Sequence, residues 1–312
     1  MNTKATGYIL GACAAATYGM NPLFALPLYK AGIGPDSVLF FRYLFAIPLL
    51  GAMLVARGRN FRIGLGDVPK LAVLGLLVAV SSLTLFESYN YMDVGIASTL
   101  LFIYPVMVAL IMAVFFKERI SPGTAVCMAA AFAGIALLCV HDGSLALSLT
   151  GTVLVFASSL SYAIYMVAVN HSTVKDMATL KVTFYILLFG LSLFVVRIFM
   201  GGGLQTPSGS DWYLWGNLIA LGIFPTAISF LCSTTAIRYI GSTPTAILGA
   251  LEPVTAVFFG IVVFGERFAM REAFGFVLVI ASVSGVVAGG SMAQVVLRVR
   301  RLFPRLPRHR AE

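Results

Sequence analysis

Three ionisable side chains, Arg42, Glu87 and Glu252, sit inside long apolar runs of this sequence. A charge in hydrocarbon costs at least a few kcal/mol, so each needs a partner or a use. Arg42 lies about six residues into its run, and Glu87 about three from the end of the next, at depths of roughly 9 Å and 5 Å for a helical rise. At such similar depths on consecutive segments the two are expected to pair. The pair either ties two helices, snorkels to the interface, or meets a carboxylate (Arg42) or an amine (Glu87) of a bound solute. Glu252 is deeper, about 14 Å in when counted from Thr243, near the middle of a core about 30 Å thick. Pro253 follows it, has no N–H to give, and predicts a kink there. A carboxyl group at a kink in mid-membrane suits proton exchange or solute binding; the alternative is a buried protonated glutamate bonded to a neighbouring helix. Asn21 beside Pro22, with Tyr18, predicts a second kink carrying polar groups. Tyr18, Tyr89, Tyr104, Tyr162 and Tyr165 are the aromatic candidates for a cavity wall, because a phenol at depth needs a partner for its hydroxyl.

The elements that must position these groups are membrane helices. Hydrophobic residues make up 60% of the chain and charged ones 11%, against roughly 25% charged in a soluble domain. Ten spans of about 20 residues fit the apolar runs, at 7–28, 36–56, 69–90, 95–116, 122–140, 150–170, 178–200, 212–236, 243–264 and 271–290. The first run has no small-residue cleavage site and continues into Pro22 and Pro27, so it reads as span 1 and not as a signal peptide. The fold class expected is an all-α integral membrane protein.

The runs repeat. Tyr104-Pro105-Val106 precedes Glu118-Arg119 as Glu252-Pro253-Val254 precedes Glu266-Arg267, with an offset of 148 that also relates Tyr91 to Tyr239. Gly7, Leu10 and Tyr18 meet Gly151, Leu154 and Tyr162 at an offset of 144. Residues 5–140 and 150–290 are thus two related halves, followed by a basic tail, 291–312. With the N-terminus in the cytoplasm, the inner side receives Lys4, Arg57, Arg59, Arg62, Lys70, Lys117, Arg119, Lys175, Lys181 and Arg238, plus six tail arginines. The outer side receives Lys30, Arg197, Arg267 and Arg271, which fits the positive-inside rule. Five spans per half is an odd number, so the halves enter the membrane with opposite orientation. Two inverted five-helix repeats rocking about a shared site are a device for alternating access.

These residues resemble the EamA-type transporters of the drug/metabolite transporter superfamily. That family has ten spans in two five-helix repeats, with a proline early and a glutamate late in the fourth helix of each; the matching positions are Pro105 with Glu118 and Pro253 with Glu266. The resemblance covers about residues 5 to 290. It implies a secondary carrier or exporter of small metabolites, such as amino acids or related solutes, in the plasma membrane (the inner membrane of a bacterium); the count of basic residues puts both termini in the cytoplasm. Partners are then a small-molecule solute, membrane lipid and protons as a coupling ion. Substrate, direction of flux and oligomeric state, monomer or homodimer, stay open.

The remaining polar residues have simpler readings. Serines and threonines of spans 6 and 8 are expected to bond back to their own helices or across a packed interface. Ala129, Ala133 and Gly134 with Gly275, Ser282, Gly285 and Gly289 read as close-packing faces. Cys13, Cys127, Cys139 and Cys232 lie in apolar runs without ligand spacing, and the three histidines are dispersed, so no metal, cofactor or disulfide is expected. The arginine-rich tail suits anionic lipid and not nucleic acid. A membrane enzyme acting on lipid-linked substrates would need a catalytic motif such as DDxxD, HExxH or GxSxG, none of which occurs, and a channel would need no inverted halves. No Walker motif is present.

Overall fold

The computed structural model describes residues 3–92, 97, 100–118, 121–139, 148–201, 203–264, 270, 273–275, 277–282 and 285. Span 1 comprises α1 (Thr3–Tyr18) and α2 (Asn21–Lys30). Spans 2 to 5 are α3 (Pro35–Ala56), α4 (Val68–Ser88), α5 (Tyr104–Phe116) and α6 (Pro122–Cys139). Spans 6 and 7 are α7 (Leu149–His171) and α8 (Thr179–Gly201). Span 8 runs through α9 (Trp212–Gly222), a π-helical turn (Ile223–Ile228) and α10 (Ser229–Ile240). Span 9 comprises α11 (Ser242–Leu248) and α12 (Leu251–Phe264), and residues 273–275 and 277–282 are helical pieces of span 10. The fold is ten membrane helices in two five-helix repeats, with no strand among the described residues. The tail, Gly289, Arg119 and the Glu266-Arg267 turn lie outside the described residues.

Proline decides where helices begin. Five of them, α2 to α6, carry it at their first or second position, where the missing N–H is one the helix does not use. The same chemistry breaks spans 1 and 9. Proline's ring clashes with the carbonyl four residues back, and the helix gives way at Gly19–Met20, ahead of Pro22, and at Gly249–Ala250, ahead of Pro253. The interruption of span 9 therefore falls a turn before the proline, and Glu252 opens the new helix instead of occupying a bend. Span 4 has its turn at Phe102–Ile103, just ahead of Tyr104-Pro105. Gly241, at φ +89°, separates spans 8 and 9; a side chain would be strained in that conformation.

The packing between halves repeats itself. Span 1 lies along span 8 as span 6 lies along span 3, and span 9 meets span 1 as span 4 meets span 6. Span 2 packs on its own counterpart, span 7. Single contacts follow the repeat offsets. A side chain on Gly7 would run into Tyr239 at 2.8 Å, and one on its equivalent Gly151 into Tyr91 at 3.2 Å. Ser229 donates to the Ala14 carbonyl at 2.9 Å, while Ser81 and Ser158, their repeat mates, meet at 3.1 Å. This is a pseudo-two-fold relation at the level of atoms, as an inverted repeat requires.

Spans 5 and 10 meet through small residues as expected: a Cβ on Gly134 would lie 2.8 Å from the Gly275 carbonyl, and Ser282 donates to the Cys127 carbonyl. At one end of the bundle, Lys181 binds Asn60 Oδ1 and the Arg62 carbonyl at 2.9 and 3.0 Å, Lys70 binds Thr173 at 2.6 Å, and Arg238 binds the Val174 carbonyl at 3.0 Å. These basic residues are ones assigned to the inner side. The opposite end holds Asp36, Glu87, Arg197 and the 203–211 loop, whose Gln205 accepts from the Gly34 N–H and donates its own N–H to Ser37.

Candidate functional site

The interruptions of spans 1, 4 and 9 converge. A side chain on Gly19 would collide with Thr255 at 2.8 Å and with the carbonyl carbon of Glu252 at 3.1 Å, so the break in span 1 lies directly on the start of α12. A side chain on Gly249 would collide with the Tyr104 phenol, whose ring carbon Cζ lies 2.9 Å from that position. Glycine at both breaks is what lets the three backbones come together. The Tyr104 hydroxyl is thereby brought within hydrogen-bonding reach of the Glu252 carboxyl group. Glu252 is partly buried, and Tyr18, Tyr104 and Tyr162 face it from spans 1, 4 and 6.

The tyrosines form a chain. Tyr104 meets Tyr162 edge-on at 5.1 Å, Tyr162 stacks on Tyr165 at 5.8 Å, and Phe230 joins Tyr165 to Tyr18, at 6.3 Å from each. Tyr165 also shares a hydrogen with Thr234 at 3.3 Å. At the far end of this chain Arg42 lies over the Tyr18 ring, 5.4 Å from its centroid, and 5.8 Å from the Phe86 ring. Contacts of this kind stabilise a desolvated guanidinium by about 2 kcal/mol.

Arg42 is completely buried, but it does not pair with Glu87. Its Nε donates to Thr226 Oγ1 at 2.6 Å and its Nη2 to the Pro225 carbonyl at 3.1 Å. Glu87 instead pairs with Arg197 at 2.7 Å, and the same guanidinium holds Asp36 through two bonds of 3.0 and 3.1 Å. Shared depth was the basis of the expected pair, but depth leaves the direction around the helix axis undetermined. Arg42 faces span 8, whereas Glu87 faces the end of span 7.

The acceptors for Arg42 exist because of Pro225. With no N–H there, the Leu221 carbonyl loses its helical partner, and the Thr226 hydroxyl donates to it at 2.8 Å, widening the turn into a π-helix. The sequence signal for this was an internal proline followed by threonine; Thr226 by itself reads as one more serine/threonine bonded to its own helix. Arg197 was legible only as an outer basic residue, and Gly19 and Gly249 gave no signal apart from their neighbouring prolines.

Asn21 is buried at the break in span 1 and, with Pro22, Ala25, Tyr29, Phe86 and Tyr89, lines a small crevice between spans 1 and 3. A second apolar crevice lies between spans 4, 5 and 9 at Phe102, Pro105, Phe132 and Ala250. Of the residues singled out from sequence, Tyr18, Tyr104, Tyr162 and Glu252 come together at the three breaks. Arg42 reaches them through Tyr18, and Asn21 and Tyr89 sit on the crevice beyond. Glu87 stands apart in the charge cluster at one end.

Comparison with known proteins agrees with this architecture. The chain is similar to an uncharacterized transporter of Archaeoglobus fulgidus, 29% identical over 259 residues that cover 82% of this chain and 88% of the relative. It is 23% identical over 253 residues to the uncharacterized transporter YxxF of Bacillus subtilis, covering 80% and 79%. A solved crystal structure with 19% identity covers 90% of this chain and 97% of its own, with a TM-score of 0.75, and so shares the fold. A family model matches residues 5–140 and again 149–288, once on each repeat, and the chain is a multi-pass membrane protein of the EamA-like transporter family.

Proposed function

We propose that this protein is a proton-coupled secondary carrier that exports small metabolites, such as amino acids or related solutes, by alternating access, with Glu252 as the coupling group. The observation that carries this reading is the meeting of three interrupted spans around one carboxyl group. Helix interruptions free backbone polar groups at a depth where only a bound solute or another helix can use them. Tyr104, the repeat counterpart of Glu252, aims its hydroxyl at that carboxyl, so the site lies on the axis about which the halves exchange roles. Tyr18, Tyr162 and Tyr165 extend the wall towards Arg42, Asn21 and Tyr89, and Glu87 belongs to the gate at the outer end. The protein sits in the plasma membrane with both termini in the cytoplasm, an orientation supported by the basic residues gathered at one end of the bundle.

The test is solute counterflow in proteoliposomes. A carrier exchanges solute saturably, and unsaturable flux at channel rates sinks the reading. Glu252→Gln keeps the shape and loses the proton, so flux driven by a pH gradient is expected to vanish while counterflow continues. Normal pH-driven flux in that variant would place coupling elsewhere.

A further inference from the structure

The loop between spans 2 and 3, residues 57–67, is held against the start of span 7. Lys181 binds Asn60 and the Arg62 carbonyl, the Tyr185 hydroxyl donates to the Phe61 carbonyl, and the Phe61 ring meets Phe184 edge-on at 5.4 Å. Gly58, at φ +61°, turns the chain just past the end of α3 at Ala56, and the Arg59 N–H returns to the Leu54 carbonyl at 3.0 Å. The backbone is thus pinned where an apolar helix ends, which is the level of lipid headgroups.

Two kinds of side chain leave this pinned loop. Arg57, Arg59 and Arg62 are exposed, and among the described residues their guanidinium groups take part in no hydrogen bond or ion pair. The nearest carboxylate along the chain, Asp67, is taken by Lys70 at 3.7 Å. Beside the arginines stand Phe61, 40% exposed, and Leu65, 92% exposed. A leucine so bare in water gives up nearly all the benefit of burial. The fold does not require this chemistry. Asp67 and Asp211 stand at the repeat offset of 144, and the ten residues before Asp211, GGGLQTPSGS, carry no charge.

We propose that this loop is a docking site for anionic phospholipid in the leaflet at its end of the bundle, with Arg57, Arg59 and Arg62 on the headgroups and Phe61 and Leu65 in the adjoining acyl region. A guanidinium fork matches two oxygens of a phosphodiester, and basic segments beside a membrane helix are drawn to an anionic leaflet. The apolar pair selects the lipid over other anions, because a soluble phosphate would leave Phe61 and Leu65 in water. Orientation in the membrane asks only for charge, and a loop standing clear of the bilayer would satisfy it. The bonds from Lys181 and Tyr185 carry the lipid's grip on this loop to span 7. The inference is independent of the carrier reading.

The probe is phospholipid brominated in its acyl chains, which quenches tryptophan on contact. Leu65→Trp is placed in the full-length protein together with Trp212→Phe and Trp215→Phe, so that the fluorescence comes from the loop alone. In bilayers of phosphatidylcholine, brominated phosphatidylglycerol should quench beyond its bulk fraction, with a relative binding constant of at least about five, the gain one engaged arginine gives. Brominated phosphatidylcholine should quench only in proportion to its fraction. Arg57→Gln, Arg59→Gln and Arg62→Gln together should bring the constant to about one, whereas lysine at the three positions should keep most of it. The three arginines are exposed, and the far-UV helical signal checks that each variant is folded. Equal quenching by the two lipids, quenching by neither, or a preference that survives the triple glutamine variant overturns the site. So does a preference abolished by inorganic phosphate at constant ionic strength, which would give the arginines to a soluble anion. Quenching is read without transport, so a failure of counterflow would remove the carrier reading and leave this result standing.

Discussion

The Tyr104 phenol occupies the space a side chain on Gly249 would need, with its Cζ 2.9 Å from the position of that missing Cβ. One residue lies in the first repeat and the other in the second, so this contact joins the two halves where span 9 is interrupted. Gly249→Ala is expected to overpack the joint by about 1–3 kcal/mol and to push the hydroxyl away from Glu252. Tyr104→Phe in the same chain removes the clashing oxygen and should recover part of the lost thermal stability, without restoring a hydroxyl beside Glu252. Equal midpoints for the single and double variants would show that the two residues do not oppose each other.

Thr226 serves two groups at once, donating to Leu221 and accepting from Arg42. Thr226→Val keeps the shape and loses both bonds, and should cost about 1–3 kcal/mol because it leaves a buried charged donor unmatched. Thr226→Ser should be close to wild type. A valine variant that unfolds at the wild-type temperature would mean Arg42 finds another acceptor.

Arg197 joins spans 2, 3 and 7 by holding Asp36 and Glu87 together. Its side chain is 40% exposed, so each pair contributes at most about 1 kcal/mol. Arg197→Gln should therefore leave folding nearly unchanged and loosen the outer end. A cysteine at Ala25, on the crevice, should then react faster with an impermeant thiol reagent in intact cells. An unchanged rate would show that this cluster does not gate access.

Orientation is tested by the same chemistry. A cysteine at Ser208 in the exposed 203–211 loop should label from outside, and one at exposed Gly58 should not. The reverse pattern would turn the protein over and reassign the Arg197 end to the cytoplasm.

Much of this molecule was legible in its sequence because membrane helices leave few choices. Span length, the duplicated Pro and Glu positions and the odd number of spans per half lead to the two-repeat fold. The place of Glu252 near the middle of span 9 follows from counting residues. Side-chain direction does not: Arg42 and Glu87 share a level and look different ways, and only packing decides which. The π-helical turn at Pro225 escaped the reading because the loss of one N–H can be met by a kink, a bulge or a side chain. The choice here, the Thr226 hydroxyl, depends on what span 2 places opposite.

The two ends of the bundle are closed by different chemistry. Charges of both signs meet at 2.7 to 3.1 Å around Arg197, whereas at the opposite end Lys181 and Arg238 bind amide and carbonyl oxygens and Lys70 binds the Thr173 hydroxyl at 2.6 Å with Asp67 farther off at 3.7 Å. Mobile ions screen the first kind of contact far more than the second, over a distance of about 8 Å at physiological ionic strength. In the alternating-access mechanism proposed above, the pseudo-symmetry makes the inward-facing and outward-facing shapes near equals, so a small unequal term decides which predominates at rest. On that proposal, salt in the medium bathing the Arg197 end supplies such a term, and the resting orientation becomes a property of the surroundings as well as of the sequence.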